Sequence, residues 1–273
     1  MTLTAGSTTS VRGALRPAWV WVLAAVFAVA MLPTPARAAP ITWGAATNIS
    51  ADSDVSTDGT LVYAYNFGTI ATSPVINGVT FTAFDLPIVT VPGTPVTFGD
   101  VSISESLGDL LGALQFGGYD GVGNPTGAFS GLTSAYQALL GTGALGGFIA
   151  TLTLELGDLN IGQTYDFQWW SNDSSGNAYA VSTVAEGATG ETPVTLSAGS
   201  GAKGALGQYV IGRFTADAQI QNITFDSLNI DSFPMINGFQ LREGPFSVPA
   251  PSAALLALGG FCLILLWRRQ RPA

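Results

Sequence analysis

The sequence predicts an all-β protein: a two-sheet jelly-roll-type sandwich with a small, partly helical insertion, followed by one C-terminal transmembrane helix. Three observations lead there. Between residues 41 and 241, about ten short runs alternate apolar with small or polar side chains, the period of a strand with one wet face. Gly, Ser, Thr, Asn and Asp gather between those runs, as tight turns require. Residues 252–267 are apolar almost without interruption and stop at Arg268, Arg269 and Arg271.

The two ends of the chain argue for export. Residues 1–38 read as a signal peptide, with Arg12 and Arg16 before an apolar run that Pro33 and Pro35 break. Ala36 and Ala38 place small residues where a signal peptidase reads, so cleavage is expected before Ala39. At the far end, a helix over 252–267 would span roughly 24 Å, close to the thickness of a bilayer core. Trp267 would sit at the interface and the arginines on the cytoplasmic side. The expected organisation is therefore a signal peptide (1–38), an exported domain (39–246, with its insertion at about 105–147) and a tail (247–273).

That tail resembles the PEP-CTERM sorting signal of bacterial envelope proteins. The match is Pro249, Ala250 and Pro251, the apolar stretch after them, and the basic residues Arg268, Arg269 and Arg271. Ala250 departs from the family pattern, which usually has Glu there. The resemblance implies recognition and cutting by an exosortase-like sorting enzyme, often on the way to extracellular polysaccharide. Tails of this kind are also labelled ice-binding protein C-terminal domains, a label that describes the tail alone.

Composition narrows the chemistry. The stretch 39–246 holds three basic residues, Lys203, Arg213 and Arg242, against all eighteen acidic ones, a formal charge near −15. Such a surface repels nucleic acid and anionic lipid and is compatible with divalent cations or neutral sugars. Histidine is absent, which removes the commonest general base and the usual zinc ligand. The single cysteine, Cys262, lies in the apolar tail, so the domain has no disulfide. No enzymatic activity is expected, although composition permits a carboxylate-dependent glycosidase. Glu155 and Asp166 are the pair considered for it.

In chain order, Ile41, Thr42 and Trp43 open as a short strand, and an acidic turn follows with Asp52, Asp54 and Asp58. Residues 61–67 alternate as a strand, and Asn77-Gly78 marks a hairpin before 79–84. Pro and Val over 88–96 suggest an edge strand or extended loop. Within 105–147, Leu107, Leu110, Leu111 and Leu114 have helical spacing, as do Leu132, Tyr136 and Leu139 before Gly141. Strands are then expected at 148–156, 165–170, 178–184, 209–214, 220–225 and 235–241. The stretches 165–170, 207–217 and 236–242 resemble the closing strands of jelly-roll modules in bacterial extracellular proteins, many of which bind carbohydrate.

Two constellations are candidates for chemistry. Asp52, Asp54 and Asp58 offer hard oxygen ligands to calcium, the only cofactor considered. Trp170, with Asn172 and Asp173 beyond it, suits a sugar site, because an aromatic face can carry a pyranose while amide and carboxylate fix its hydroxyls. Trp169 shares the register of Tyr165 and Phe167 and is expected in the core. Arg213 and Arg242 are expected to pair with acids or cap a sheet edge.

The leading expectation is thus an envelope or extracellular matrix protein with a structural or adhesive role, anchored in the bilayer or released by sorting. Its expected partners are signal peptidase, the sorting enzyme, the bilayer and exopolysaccharide, with no nucleic acid. The alternative is a carbohydrate-binding module with an aromatic site near Trp170.

Overall fold

Residues 39–87, 93–107, 110–113, 116–177, 180–185, 191–228 and 233–244 are described by a computed structural model. They belong to the second of two compact units of the chain, Arg37–Ala273. The stretches read from sequence as a signal peptide and a sorting tail, 1–38 and 247–273, lie outside them.

Among the described residues, eighteen strands divide among four sheets. The largest runs in the order β1 (Thr42–Trp43), β15 (Gln208–Thr215), β12 (Thr164–Ser171), β18 (Gly238–Glu243), β3 (Thr60–Gly68), β6 (Thr82–Asp85), with β2 (Thr47–Asn48) also on β15. The second runs β14 (Val194–Ser197), β13 (Ala180–Ala185), β16 (Gln221–Ser227), β11 (Thr151–Leu156), β8 (Val101–Glu105), β7 (Val96–Phe98). A three-stranded sheet joins β17 (Met235–Ile236), β10 (Gly143–Leu145) and β9 (Leu111–Ala113), and a hairpin joins β4 (Val75–Ile76) to β5 (Val79–Thr80). Among the described residues, pairing is antiparallel except between β3 and β6.

This corrects the expected two-sheet jelly roll. The protein is mostly β with one short helix among the described residues, but its strands form four sheets and no closed sandwich or barrel. Packing explains the difference. The inner faces of the two large sheets share one core, where Trp169 of β12 meets Phe225 of β16 edge-on at 4.8 Å. The other face of the seven-stranded sheet is covered as well. There Trp170, Ala64 and Phe81 pack with Phe129, Tyr136, Leu139 and Leu140 in a second core. A sheet covered on both faces needs extra layers, and short elements from 74–80 and 127–140 supply them.

The helix α1 (Ser134–Leu140) is the helical part of the insertion. Thr133 caps it, its side chain accepting from the Tyr136 amide, and Tyr136, Leu139 and Leu140 face inward. The helix expected around Leu107 to Leu114 is absent from the described part: Leu111–Ala113 is a strand on β10. Gly108 and Gly112 disfavour a helix there. A side chain on Gly112 would also meet the Thr69 amide at 2.6 Å. The Asn77-Gly78 turn forms as read, both residues having positive φ, 48° and 77°.

The membrane-anchored reading is corrected too. Among the described residues no helix is long and apolar enough to cross a membrane; α1 has seven residues. The single-pass placement, the bilayer and a sorting enzyme as partners, and the structural or adhesive envelope role all depended on such a helix and fall with it. The stretch that prompted them, 252–267, lies outside the described residues.

A buried amide cluster ties the layers together. Asn237 donates through Nδ2 to the carbonyls of Leu140, Thr142 and Asn172 at 3.0, 2.8 and 3.1 Å, and its Oδ1 accepts from the Asn172 amide at 2.6 Å. It links the end of α1 to β12 and β18. Asn237→Ala strands these buried groups without partners. Stability is expected to drop by on the order of 3 kcal/mol, read as a lower urea midpoint; an unchanged midpoint would contradict the role assigned to this amide.

Candidate functional site

The acidic turn does not gather its carboxylates. Asp54 is buried and accepts from the Ser50 and Ala51 amides at 2.6 and 3.0 Å and from Ser50 Oγ at 2.9 Å. Asp52 accepts from Thr133 Oγ1 at 2.7 Å, and Asp58 is exposed. Among the described residues, no three acidic, Cys or His side chains are grouped so as to hold a metal ion. The turn has a cation of another kind. Arg242 donates to the carbonyls of Thr57, Asp58 and Gly59 at 3.1, 2.7 and 3.0 Å, and to Gln240 Oε1 at 3.2 Å. Burial pushes this guanidinium below its ordinary pKa, and the Asp58 carboxylate opposes the shift.

Trp170, Asn172 and Asp173 are also brought inside. Trp170 is fully enclosed, edge-on to Phe81 at 5.5 Å, and its indole N–H donates to Tyr136 Oη at 2.8 Å. No face remains for a sugar. Asn172 Oδ1 accepts from the Gly207 amide at 2.9 Å, and its Nδ2 donates to the Leu140 carbonyl at 3.2 Å. Asp173 is buried and accepts from Ser175 and Asn177 in its own turn. These three residues hold β12 and its following loop in place. Trp169 lies in the main core with Tyr165 and Phe167, as the strand period requires.

The carboxylate pair considered for hydrolysis is separated. Glu155 is on β11 of the six-stranded sheet and Asp166 on β12 of the seven-stranded sheet. Asp166 instead takes Arg213 through two bonds of 2.7 and 2.8 Å, and this partner raises the guanidinium pKa.

The structure draws attention to a different tryptophan. At one edge of the seven-stranded sheet, β1 faces residues 191–194, which lead into the edge strand β14 of the six-stranded sheet. Between them is a cleft of about 470 Å³ lined by Pro40, Thr42, Trp43, Glu191, Thr192 and Pro193 among others. Trp43 is half-buried, its ring edge-on to Phe167 at 6.3 Å. Glu191 fixes it: one carboxylate oxygen accepts the Trp43 indole N–H at 2.7 Å, the other the Ile41 amide at 3.1 Å. The cleft thus combines an aromatic ring, held by a carboxylate, with Thr192 and two rigid prolines.

Gly212 makes this seat available. It pairs with Trp43 across β1 and β15, and a Cβ there would lie 2.5 Å from two carbons of the Trp43 ring and from Ile41 Cγ2. Sequence reasoning read Trp43 only as part of an opening strand and did not single out Glu191. The available signal was Gly212 inside an otherwise β-rich run, which marks a close approach.

Comparison with known protein families and with curated proteins finds no match. Two solved structures show a distant likeness. One is an exo-β-1,3-galactanase from Phanerochaete chrysosporium with β-1,3-galactotriose, 17% identical over 37% of this chain and 23% of that chain, with a TM-score of 0.23. The chain therefore spans less than a quarter of the galactanase. The other comes from work on the promiscuous specificity of carbohydrate-binding modules of the β-sandwich superfamily. It is 12% identical over 75% of this chain and 99% of that chain, with a TM-score of 0.16. Neither likeness is close enough to carry fold or function across.

Two measurements check this geometry. Gly212→Ala is expected to cost about 1–3 kcal/mol by overpacking and to shift the near-ultraviolet signal of Trp43; an unaltered spectrum would mean the ring does not lie on residue 212. The second is alkaline titration. Burial pushes the Tyr63 and Tyr136 hydroxyls above the ordinary phenol value, and neighbouring acids add to it. With the folded pKa raised, the stability they contribute is complete below about pH 10 and lost as pH rises further. Phenolate absorbance is expected to show these two lagging the other tyrosines and ionising only as the fold opens. Ionisation of all seven tyrosines near pH 10 with the fold intact would contradict the burial.

Proposed function

We propose that this domain binds carbohydrate, and that the Trp43 cleft is where it does so. The observation that carries the reading is the fixed aromatic ring in an open cleft. Small-molecule sites are concave, largely apolar and provided with a few placed polar groups. The Trp43 ring is half-buried, oriented by Glu191 and backed by Phe167, so little conformational freedom is lost when a ring stacks on it. Thr192 is exposed at the cleft and provides a hydroxyl that both donates and accepts. Such a group complements the hydroxyls of a pyranose, while the indole complements its C–H face.

Binding without turnover is the simpler use of this chemistry. Glycoside hydrolysis ordinarily needs two carboxyl groups on opposite sides of the scissile bond. The cleft lining includes one, Glu191, and both its oxygens already accept N–H groups from β1 and its approach.

Trp43→Ala is expected to lower affinity for a retained glycan about thirtyfold or more, as removal of a central aromatic anchor does. Affinity electrophoresis through gels containing soluble polysaccharides reads this directly, with circular dichroism reporting the fold. Full retention by a folded Trp43→Ala protein would place the binding surface elsewhere.

A further inference from the structure

We propose that the Trp43 cleft selects uncharged glycans and rejects polyanionic ones, those bearing uronate or sulfate groups; this rests on the carbohydrate reading above. The argument comes from where the basic groups are. Proteins that hold acidic sugars use Arg or Lys, since a carboxylate or sulfate removed from water needs a cationic donor. The stretch 39–244 has three such residues. Arg213 is committed to Asp166 by two short bonds. Arg242 is buried, with its guanidinium spent on three loop carbonyls and Gln240. Lys203 is in the loop between β14 and β15, its backbone near Gly176.

None of the three lines the cleft, whereas a carboxylate, Glu191, does. An acidic glycan stacked on Trp43 would therefore bring its charge toward Glu191 and into the field of a strongly acidic domain. A neutral pyranose loses nothing by the same approach. At a separation of about 5 Å in a water-like dielectric, one like-charge contact lowers affinity about fourfold. A chain with an acid on every sugar multiplies the effect through the summed potential.

The test compares the full domain on a neutral glucan, a neutral galactan, polygalacturonate and a sulfated galactan. Each is measured at about 0.01 M and about 1 M salt, where the screening length is roughly 30 and 3 Å. At low salt the neutral polymers are expected to bind at least about fourfold more tightly than the acidic ones of matching backbone, and the gap should narrow at high salt. Thr192→Lys places a cation on an exposed position of the lining. It is expected to shrink the neutral-to-acidic ratio at low salt. Equal or tighter binding of the acidic polymers at low salt, or a ratio that Thr192→Lys leaves unmoved, would overturn the selectivity while leaving carbohydrate binding standing. Failure to retain any of the four would overturn the carbohydrate reading, and the selectivity with it.

Discussion

Trp169 and Trp170 are neighbours in sequence and are buried in different cores. Consecutive residues of a strand point to opposite faces, so two enclosed indoles in a row require a strand covered on both sides. Each indole removes on the order of 200 Å² from water, or about 5 kcal/mol at the usual coefficient. Leaving either face bare would forfeit that. The six-stranded sheet covers the Trp169 face, while α1, Phe81 and the hairpin of β4 and β5 cover the Trp170 face. The four-sheet arrangement follows from this double burial more directly than from any single loop.

Double burial creates a polar problem that this chain solves without a disulfide. Gln168 and Gln240 sit beside each other in the middle of the seven-stranded sheet, both buried, with Gln240 Nε2 donating to Gln168 Oε1 at 2.6 Å. Gln168 then donates to the Asp54 carbonyl and accepts from the Ser56 amide, while Arg242 takes the next three carbonyls. The turn over 54–59 is thus fastened to the sheet by side-chain amides and a guanidinium. An interior polar network of this sort is stabilising only when its members are satisfied. That condition explains why one of the domain's few cations is spent on backbone carbonyls and not on an exposed ion pair.

Much of the strand content was legible in the sequence because a period of two survives wherever one face is wet: residues 151–156 and 221–227 alternate cleanly. The alternation says nothing about what covers the other face. Trp170 therefore looked like an outward-facing ligand contact, and the layer above it, built from residues 129–140, could not be placed against it from spacing alone. The acidic turn misled for a related reason. Carboxylate spacing suggested a calcium ion, while the group that fastens the turn, Arg242, lies 184 residues from Asp58 in sequence. The spacing of Leu107 to Leu114 satisfied a helical template, but two glycines and a close backbone approach at Gly112 favoured a strand. The terminal apolar stretch supported a membrane reading that no helix among the described residues bears out.

The location of the Trp43 cleft follows from the same economy. In the centre of the seven-stranded sheet the large rings are committed to one core or the other, so within that sheet a partly accessible tryptophan lies at an edge. At that edge β1 is two residues long and contributes little ladder of its own. What holds it is the Glu191 carboxylate, which reaches across from the approach to β14 to the Ile41 amide and the Trp43 indole. Gly212 lets the ring settle against β15 instead of standing away from it. A ring held on one side by Glu191, 148 residues away in sequence, and on the other by Gly212 is pre-organised by the fold and not by local sequence. That is why the tryptophan of a two-residue strand keeps part of its ring accessible while both tryptophans of the aromatic-rich strand β12 are enclosed.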